Sequence, residues 1–343
     1  MARFMFAAHD IGGANMLAPV MPLAIRAGHE VFPFADGPAL AAWRGMTAKD
    51  CDKLTSLASA VGETAPDLII TGTSRASEME RSLWRIGIER GVTTIAVIDS
   101  WVNFHNRFID ASGAEILPDA ICVIDEWCRR RIEAEGWCGA RIHVVGHPHL
   151  QERLGRTTAL RKGRTRAETP RLTFFSEPIR EVMGFAKDQF WAAGEMVRAL
   201  GGIGPACFTV KPHPTEKAET WRRWRDHFKN VKHVEIEIAG EDDAEALFIK
   251  SDVVTGIHSI ALIEANFLGI PVITMQPDGP AGGNPRLDTL PGVTVASNQD
   301  ELGRALKSAL AGGDIRPDAG VVYEVVNNAG ARLLSAIEKE NDA

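Results

Sequence analysis

The chain has 343 residues, of which 45 % are apolar and 24 % are charged, and its formal net charge is −7 at pH 7. This length favours two domains over one, and the composition is typical of a soluble globular protein. The acidic balance, without a long basic run, argues against nucleic acid as a partner. Five cysteines without a Cys-x-x-Cys pair indicate reduced thiols and predict a cytoplasmic location. No apolar stretch reaches the length of a membrane span, so we expect at most peripheral membrane contact.

In residues 1–150, short apolar runs alternate with helical patterns. Helices are expected from about Ala14 to Ala27 and through EMERSLWRIGIERG. Strands that alternate with helices form a mostly parallel sheet with helices on both faces. We therefore predict a Rossmann-like domain here, which would bind the acceptor. Its strands are predicted within RFMFAAHD, HEVFPFA, DLIITGTS, TTIAVID, AICVID and RIHVVGHP.

A polar, basic segment over residues 151–171 is predicted to be an interdomain linker. The alternation resumes over residues 172–320, which predicts a second Rossmann-like domain, and residues 321–343 are predicted to form a C-terminal helix that can cross back to the first domain. The predicted fold class is α/β, with two doubly wound domains facing a central cleft. Ligands bind such sheets at the carboxyl ends of the strands, so the cleft is the expected site. Strands of the second domain are predicted within LTFFSEP, ACFTVKPHP, VKHVEIEI, DVVTG and PVITMQP.

The stretch VKPHPTEKAET, residues 210–220, ends a predicted strand with two prolines around one histidine. Proline cannot continue a sheet ladder, and the residue before a proline is disfavoured in helical geometry. His213 is therefore held on a stiff, extended turn after Lys211. Such a turn can present the side chain to a ligand, and it is also an ordinary way to end a strand.

The stretch SDVVTGIHSIALIEANFLGIPVI, residues 251–273, is the strongest candidate for an anion site. A strand ends near Val254, and a helix is predicted to start near His258 or Ser259. Free N–H groups and the helix dipole at that start favour a phosphate, and Ser259 can cap the helix and donate to the phosphate. Glu264, over one turn into the helix, is placed to accept hydrogen bonds from vicinal hydroxyls such as those of a ribose. The alternative is a Ser259 that only caps the helix and a Glu264 that is only a helix-face acid.

The turn, the helix with its glutamate and the following Glu-Ala-x-x-x-Gly-x-Pro-Val-Ile pattern resemble the nucleotide-sugar half of GT-B glycosyltransferases and of the UDP-GlcNAc 2-epimerase-like superfamily. In those enzymes the helix start faces the donor diphosphate, and the glutamate binds the nucleotide ribose. The Lys-Pro-His-Pro stretch resembles the His-Pro motif of bacterial capsule and sialic-acid-type transferases, where the histidine meets the donor phosphate. The matching positions are Gly256, His258, Ser259, Glu264, Ala265, Gly269 and Pro271.

The resemblance implies a donor site in the second domain, where His213 would steady the leaving diphosphate beside Lys211. The stretches FFSEP (174–178) and QPDGPAGGN (276–284) would flank the same pocket. The implied donor-binding residues are Ser176, Lys211, His258, Ser259, Glu264 and Asp278, with His213 as a catalytic residue.

The stretch AAHDIGGANMLAPV, residues 7–20, places His9 and Asp10 at a strand end, before two glycines. The glycines let the backbone approach a ligand closely. The stretch resembles the first Gly-rich loop of GT-B enzymes, which faces the acceptor. Asp10 or His9 is the predicted general base, since either side chain can take the acceptor's proton; the alternative is an Asp10 that only caps the helix. The candidate acceptor-binding residues here are Gly12, Gly13 and Asn15.

Two further strand ends of the first domain carry polar side chains. TGTSRASEME offers Ser74, and IDSWVNFHNRF offers Asp99 and Trp101. An aromatic ring beside several hydrogen-bonding groups suits a sugar, so we expect these three residues to bind the acceptor; an ordinary polar loop with one anchoring tryptophan is the alternative. His147 and His149 have the spacing of a metal pair, but they have no third ligand nearby in the sequence, so no metal site is predicted.

These motifs predict a metal-independent, inverting GT-B glycosyltransferase. Its substrates would be a nucleotide sugar and a surface-polysaccharide, lipid-linked or protein glycan acceptor, with no cofactor. One alternative is a nucleotide-sugar 2-epimerase or hydrolase, with His9, Asp10 and Asp99 at the sugar ring. Another is a non-catalytic module that binds a nucleotide or a sugar and does not need Asp10. Fold alone does not separate these functions, because the chemistry resides in the site.

Overall fold

In a computed structural model, the chain forms two compact α/β units. Unit 1 comprises Met1–Glu152 and Gly320–Ala343, and unit 2 comprises Arg153–Ala319. Each unit has one wholly parallel sheet with helices between its strands, so the predicted α/β class with two Rossmann-like domains is confirmed. The structure describes residues 1–44, 52–53, 57–137, 139–179, 187–240, 244–276, 284–312 and 317–342.

Unit 1 is built on a seven-stranded sheet. Its strands are β1 (Arg3–Ala8), β2 (Glu30–Ala35), β3 (Asp52–Lys53), β4 (Leu68–Thr71), β5 (Thr93–Val97), β6 (Ala120–Val123) and β7 (Arg141–Val144). Their order is β3-β2-β1-β4-β5-β6-β7, so the order reverses at β1, where doubly wound sheets bind ligands at the carboxyl ends of the strands. The six predicted strands are confirmed, and the two-residue β3 was missed because it is too short to show a period.

Unit 2 repeats the same order with six strands. They are β8 (Arg171–Phe175), β9 (Ala206–Lys211), β10 (Val234–Ile238), β11 (Val253–Gly256), β12 (Val272–Met275) and β13 (Val293–Ala296). Their order is β10-β9-β8-β11-β12-β13, and it reverses between β8 and β11. Five of the strands were predicted. The short β13 was not among the predicted strands.

The helices alternate with these strands along the chain. In chain order they are α1 (Ile11–Leu17), α2 (Met21–Arg26), α3 (Ala39–Trp43), α4 (Leu57–Thr64), α5 (Met79–Arg90), α6 (Glu126–Glu135), α7 (Pro148–Arg161), α8 (Gln189–Gly201), α9 (Ala218–Asp226), α10 (Ala244–Lys250), α11 (Ile260–Phe267), α12 (Gln299–Leu310), α13 (Ala319–Val326) and α14 (Ala329–Asn341). The single helix expected from Ala14 to Ala27 is two helices, because Pro19, directly after the C-cap residue Ala18, lacks the N–H that would continue α1, while Pro22 stands in the first turn of α2. None of the described helices has both the length and the apolar composition that a bilayer crossing requires.

The segment 151–171 is not an irregular linker throughout, because α7 continues to Arg161. Leu150, Leu154 and Thr157 are buried and lie at helical spacing, which places them on one face of α7. This narrow apolar face was not predicted, because the many charged residues between these three positions make the segment polar and basic in overall composition.

The C-terminal helix α14 belongs to unit 1 and is fixed there by ion pairs. The buried carboxylate of Glu340 lies 2.7 Å from Nε2 of His143 and is also bound by the guanidinium of Arg141, both on β7. Directly before β2, Nε2 of His29 lies 3.2 Å from Oε1 of Glu338 on α14. These contacts join the end of the chain to the sheet formed by its beginning.

Candidate functional site

The carboxyl end of β1 carries an imidazole–carboxylate pair. Nδ1 of His9 lies 2.8 Å from Oδ1 of Asp10, and both side chains are partly exposed. Asp10 stands at the N-cap position of α1, yet its side chain makes no capping hydrogen bond. Because Nδ1–H is donated to the carboxylate, Nε2 of the neutral ring is left as a proton acceptor. The carboxylate of Asp10 therefore orients His9 instead of capping the helix.

A buried glutamate of α5 lies behind this pair. Oε1 of Glu80 accepts a hydrogen bond of 2.9 Å from the N–H of His9, and Glu80 is only 1 % exposed. Burial raises the pKa of Glu80 to about 7, and the negative charge of Asp10 adds to this rise. Glu80 was not among the predicted site residues. A signal was present, because this acid lies on the same helical face as the buried Leu83 and Trp84.

The two glycines after Asp10 lie inside α1, because the helix begins at Ile11, earlier than predicted. A Cβ at Gly13 would lie 2.9 Å from the Cα of the glycine that follows β4, and a Cβ at Gly12 would lie 1.7 Å from Oδ2 of Asp99. The predicted close approach of the backbone is therefore made to other parts of unit 1. Asn15, the third predicted residue of this stretch, is half-buried on α1.

Asp99, at the carboxyl end of β5, is bound by a buried arginine. Nη1 of Arg107 lies 2.7 Å from Oδ1 of Asp99 and donates to Oγ1 of Thr73 at 2.7 Å. Nη2 of Arg107 donates to Oγ of Ser100 at 2.6 Å. The guanidinium thus joins the segments that follow β4 and β5. Arg107 was not among the predicted site residues, although it lies in the stretch that supplied Asp99.

Two predicted acceptor-binding residues have structural roles instead. Trp101 is 1 % exposed, and its Nε1 donates to Oδ2 of Asp125 at 2.9 Å, so no face of the ring is open to a sugar. Oγ of Ser74 accepts hydrogen bonds of 3.1 Å from the N–H groups of Ala76 and Ser77. Both side chains serve the structure of their own loops, because a polar loop at a strand end has to satisfy its backbone and anchor itself.

In unit 2, the turn after β9 is fixed by Glu216. The N–H of His213 donates to Oε2 of Glu216 at 2.8 Å, and the amide of Gln189 donates to Oε1 at 2.8 Å. Nδ1 of His213 lies 2.7 Å from Oγ1 of Thr215 and accepts from the N–H of Thr215 at 3.3 Å, and the second contact favours the tautomer with its proton on Nε2. Burial lowers the pKa of His213, and Glu216 opposes that shift. An uncharged ring can therefore donate one hydrogen bond from Nε2.

Ser176 and Lys211 follow one another across the sheet, at the ends of β8 and β9. The N–H of Ser176 donates to the carbonyl oxygen of Lys211 at 3.0 Å. Oγ of Ser176 is buried and has no hydrogen-bond partner among the described residues. Nζ of Lys211 donates to the carbonyl oxygen of Gly240 at 2.9 Å. Ser176 thus keeps a polar atom available, whereas Lys211 is engaged with the main chain.

The segment after β11 leads through His258 into the N-terminus of α11. Oγ of Ser259 accepts from the N–H of Ala261 at 3.3 Å, so Ser259 caps the helix. The N–H of His258 donates to Oε2 of Glu177 at 3.1 Å. Burial raises the pKa of Glu177 to about 7, against the effect of this hydrogen bond, and burial lowers the pKa of His258 to about 4. A carboxyl group that gains or loses its proton around neutral pH therefore accepts an N–H group at an anion-favouring helix start.

Glu264 lies in the second turn of α11, but its carboxylate is buried and ion-paired. Oε2 of Glu264 lies 3.2 Å from Nη1 of Arg153, and the two side chains are 8 % and 15 % exposed. The guanidinium of Arg153 also lies over the ring of Phe248, 5.6 Å from its centroid. The sequence analysis missed this pair because it assigned Arg153 to a linker. Asp278, the last predicted donor residue, lies outside the described residues.

His147, the first of the two histidines with metal-like spacing, stabilises the start of a helix. His147 is buried, and its Nδ1 accepts from the N–H of Leu150 at 3.3 Å in the first turn of α7. In the ranges that the structure describes, no three His, Cys, Asp or Glu side chains are grouped so that they could hold a metal ion.

No family model matches the sequence, and no curated protein matches it. Solved structures do match along almost the whole chain. The UDP-GlcNAc 2-epimerase of Methanocaldococcus jannaschii matches with a TM-score of 0.70 and 12 % identity over 98 % of this chain and 99 % of that chain. The UDP-GlcNAc 2-epimerase of Neisseria meningitidis, in a structure with bound UDP-GlcNAc, matches with a TM-score of 0.69 and 10 % identity over 98 % of this chain and 100 % of that chain.

MurG of Acinetobacter baumannii also matches, with a TM-score of 0.62 and 10 % identity over 99 % of this chain and 100 % of that chain. These structures share an architecture of two Rossmann-like α/β domains, and the strand orders of both units agree with it. The chain therefore has the GT-B fold.

Proposed function

We propose that the protein is an enzyme that takes a nucleotide sugar as donor and transfers its sugar to a hydroxyl acceptor, with His9 as the general base. The observation that carries this proposal is the His9–Asp10 pair at the carboxyl end of β1. An imidazole held through Nδ1 by a carboxylate, with Nε2 left to accept a proton, is the arrangement that general base catalysis needs.

The donor diphosphate would bind in unit 2 at the start of α11. The helix dipole and the N–H groups there attract an anion. Oγ of Ser176 and Nε2–H of His213 add two donors, since the first has no partner among the described residues and the second belongs to an uncharged ring. Glu177 would release the N–H of His258 to the phosphate. In this proposal Glu264, paired with Arg153, accepts from the ribose hydroxyls.

In the reaction, Nε2 of His9 would take the proton of the acceptor hydroxyl while its oxygen attacks the anomeric carbon. The bond from that carbon to the donor diphosphate breaks, and the electron pair leaves with the phosphate oxygen. Asp10 stabilises the imidazolium that forms. The start of α11 and His213 stabilise the negative charge on the departing diphosphate. Attack from the side opposite the leaving group inverts the anomeric carbon.

A nucleotide-sugar 2-epimerase or a hydrolase is the second candidate. The observation that favours it is the likeness to UDP-GlcNAc 2-epimerases over nearly the full length of both chains. Epimerisation needs groups that move protons at the sugar ring, and unit 1 offers the His9 imidazole with the carboxylate of Asp10 beside it. Asp99, packed against Gly12, is a second carboxylate from the same unit. In a hydrolase, water would take the place of the acceptor beside His9.

The first experiment is calorimetric binding of UDP, CMP, CDP, GDP and dTDP, with EDTA and then with Mg²⁺. Tight binding of one nucleotide in EDTA supports a metal-independent donor site and names the donor class. The matching nucleotide sugars are then incubated in D₂O and followed by proton NMR. Loss of the C2 proton signal indicates a 2-epimerase, whereas nucleotide release without an acceptor indicates a hydrolase. Nucleotide release only with an added glycan supports transfer, and a lack of nucleotide binding contradicts the proposal.

A further inference from the structure

The carboxyl group of Glu80 contacts His9 directly. It can therefore affect a reaction through His9 without touching a substrate. One of its oxygens accepts the N–H of His9 at 2.9 Å. Its other oxygen, Oε2, is buried and has no hydrogen-bond partner among the described residues. A carboxyl group with an unsatisfied oxygen in an apolar position is costly when charged. The buried carboxyl group of Glu80 therefore has a cost to stability when it is charged.

The positions of the charged groups around Glu80 show which side chains its charge can affect. Asp10 and His9, from the segment after β1, are the charges that act on it. On its own helix, the guanidinium of Arg81 is directed away, because it donates to the carbonyl oxygens of Ser74 and Arg107. Asp99 of the segment after β5 is neutralised by its own pair with Arg107. Glu80 is thus coupled to the His9–Asp10 pair.

We propose that Glu80 is a positioning residue for His9: it fixes the main chain from which the imidazole projects, and its ionisation sets how strongly the imidazole holds a proton. This inference rests on the proposed role of His9 as the base. When Glu80 is neutral, the His9–Asp10 pair contains one negative charge. When Glu80 ionises, a second negative charge stabilises the imidazolium, and His9 gives up its proton less readily.

Burial raises the pKa of Glu80 to about 7, so its charge changes around neutral pH. A base works only in its unprotonated form, so the acid limb of the pH–rate profile depends on the charge of Glu80. Removal of that charge should move the acid limb to lower pH.

The first test requires no substrate. The backbone amide of His9 is followed by ¹H–¹⁵N NMR from pH 5.5 to pH 8.5 in wild type, Glu80→Gln and Glu89→Gln. Glu89 is the matched control, because it lies on α5 but is exposed. We expect an inflection near pH 7 in wild type and in Glu89→Gln, and a smaller one in Glu80→Gln, because groups other than Glu80 still act on this amide. An equal inflection in Glu80→Gln overturns the proposal. A wild-type amide that shows no inflection overturns the proposal without reliance on any variant.

The second test uses turnover of the nucleotide sugar identified above. Gln can still accept the N–H of His9, so Glu80→Gln should retain most of the plateau rate and move its acid limb down by on the order of half a pH unit. Glu80→Ala loses the acceptor and should lower the plateau rate about tenfold or more. An acid limb of Glu80→Gln that coincides with wild type overturns the electrostatic part of the proposal. If wild type turns over no nucleotide sugar, the proposed function fails. The amide titration still decides whether the ionisation of Glu80 affects His9.

Discussion

Asp99 packs so closely on Gly12 that a Cβ at Gly12 would lie 1.7 Å from its Oδ2. The same carboxylate is held from the other side by Arg107, at 2.7 Å. Asp99 therefore has one position, between the first turn of α1 and a fixed guanidinium. A side chain at Gly12 would have to displace the carboxylate and break that pair.

The variant Gly12→Ala tests this packing. We expect the free energy of unfolding to fall by about 1–3 kcal/mol, since an atom is forced into a filled space, and turnover to fall with it, while nucleotide binding by unit 2 is unchanged. Urea unfolding and calorimetry measure the two effects. Gly303→Ala is the control, because this helical glycine has open space around its Cα and the change should slightly stabilise the protein. Equal stabilities of Gly12→Ala and wild type would contradict the described position of Asp99.

The variant Asp10→Asn tests the orientation of His9. An amide can donate to Nδ1, which would favour the wrong tautomer and put the proton on Nε2. We expect turnover to fall on the order of 10²-fold to 10⁴-fold, with nucleotide affinity unchanged. Steady-state kinetics and calorimetry provide the measurements, and Glu63→Gln, at an exposed position of α4, is the control. Full activity in Asp10→Asn would remove the His9–Asp10 pair from the mechanism.

The sequence alone predicted the features that depend on residues close to one another in the chain. The alternation of apolar strands with helices predicted both sheets, because buried parallel strands are continuous apolar runs bounded by turns. The same pattern placed His9 and His213 at strand ends, where doubly wound sheets bind ligands. The cap of α11 at Ser259 followed from one residue type at a helix start.

Features that depend on the packing of distant segments were not accessible. Glu80 and His9 lie 71 positions apart, and nothing local to either residue announces the hydrogen bond between them. Trp101 was expected to stack on a sugar, but its exposure is decided by Asp125 and the surrounding core. Arg153 was taken as a solvated linker residue, since its partner Glu264 is over a hundred positions away. The residue types showed what each side chain can bind. Tertiary packing determined which of these side chains are buried or paired with another residue.

Nucleotide affinity should depend on pH through Glu177. Its carboxyl group occupies the N–H of His258, and its pKa is about 7, so ionisation near neutral pH puts a negative charge where the phosphate would bind. Only the neutral form admits the anion without repulsion, so affinity should weaken about tenfold between pH 6 and pH 8. In Glu177→Gln this part of the dependence should vanish. Affinity is measured by calorimetry for both proteins with the same nucleotide at each pH, so that the titration of the nucleotide affects both equally. Parallel curves of affinity against pH for the two proteins would contradict the prediction.

The Arg107–Asp99 pair should matter for stability as well as for the site. Arg107→Ala removes the partner of a largely buried carboxylate and three further hydrogen bonds. We expect the free energy of unfolding to fall by about 3 kcal/mol or more, because an uncompensated charge remains in the interior. Arg129→Ala is the control: its pairs with Glu126 and Glu133 are exposed, and its loss should cost less than about 1 kcal/mol. Similar urea midpoints for the two variants would mean that water reaches Asp99.

The variant Trp101→Phe separates a structural tryptophan from a sugar-binding one. The indole of Trp101 is buried and donates to Oδ2 of Asp125, whose Oδ1 caps α6 by accepting from the N–H of Cys128 at 2.9 Å. Phenylalanine keeps the aromatic packing and removes one donor from a buried carboxylate, so we expect a loss of about 1–3 kcal/mol in the free energy of unfolding. The KM for the acceptor should not change, because no face of the ring is open. Trp191→Phe, at a half-buried position of α8, serves as the control. An acceptor KM raised several-fold in Trp101→Phe, at unchanged stability, would restore Trp101 to the acceptor site.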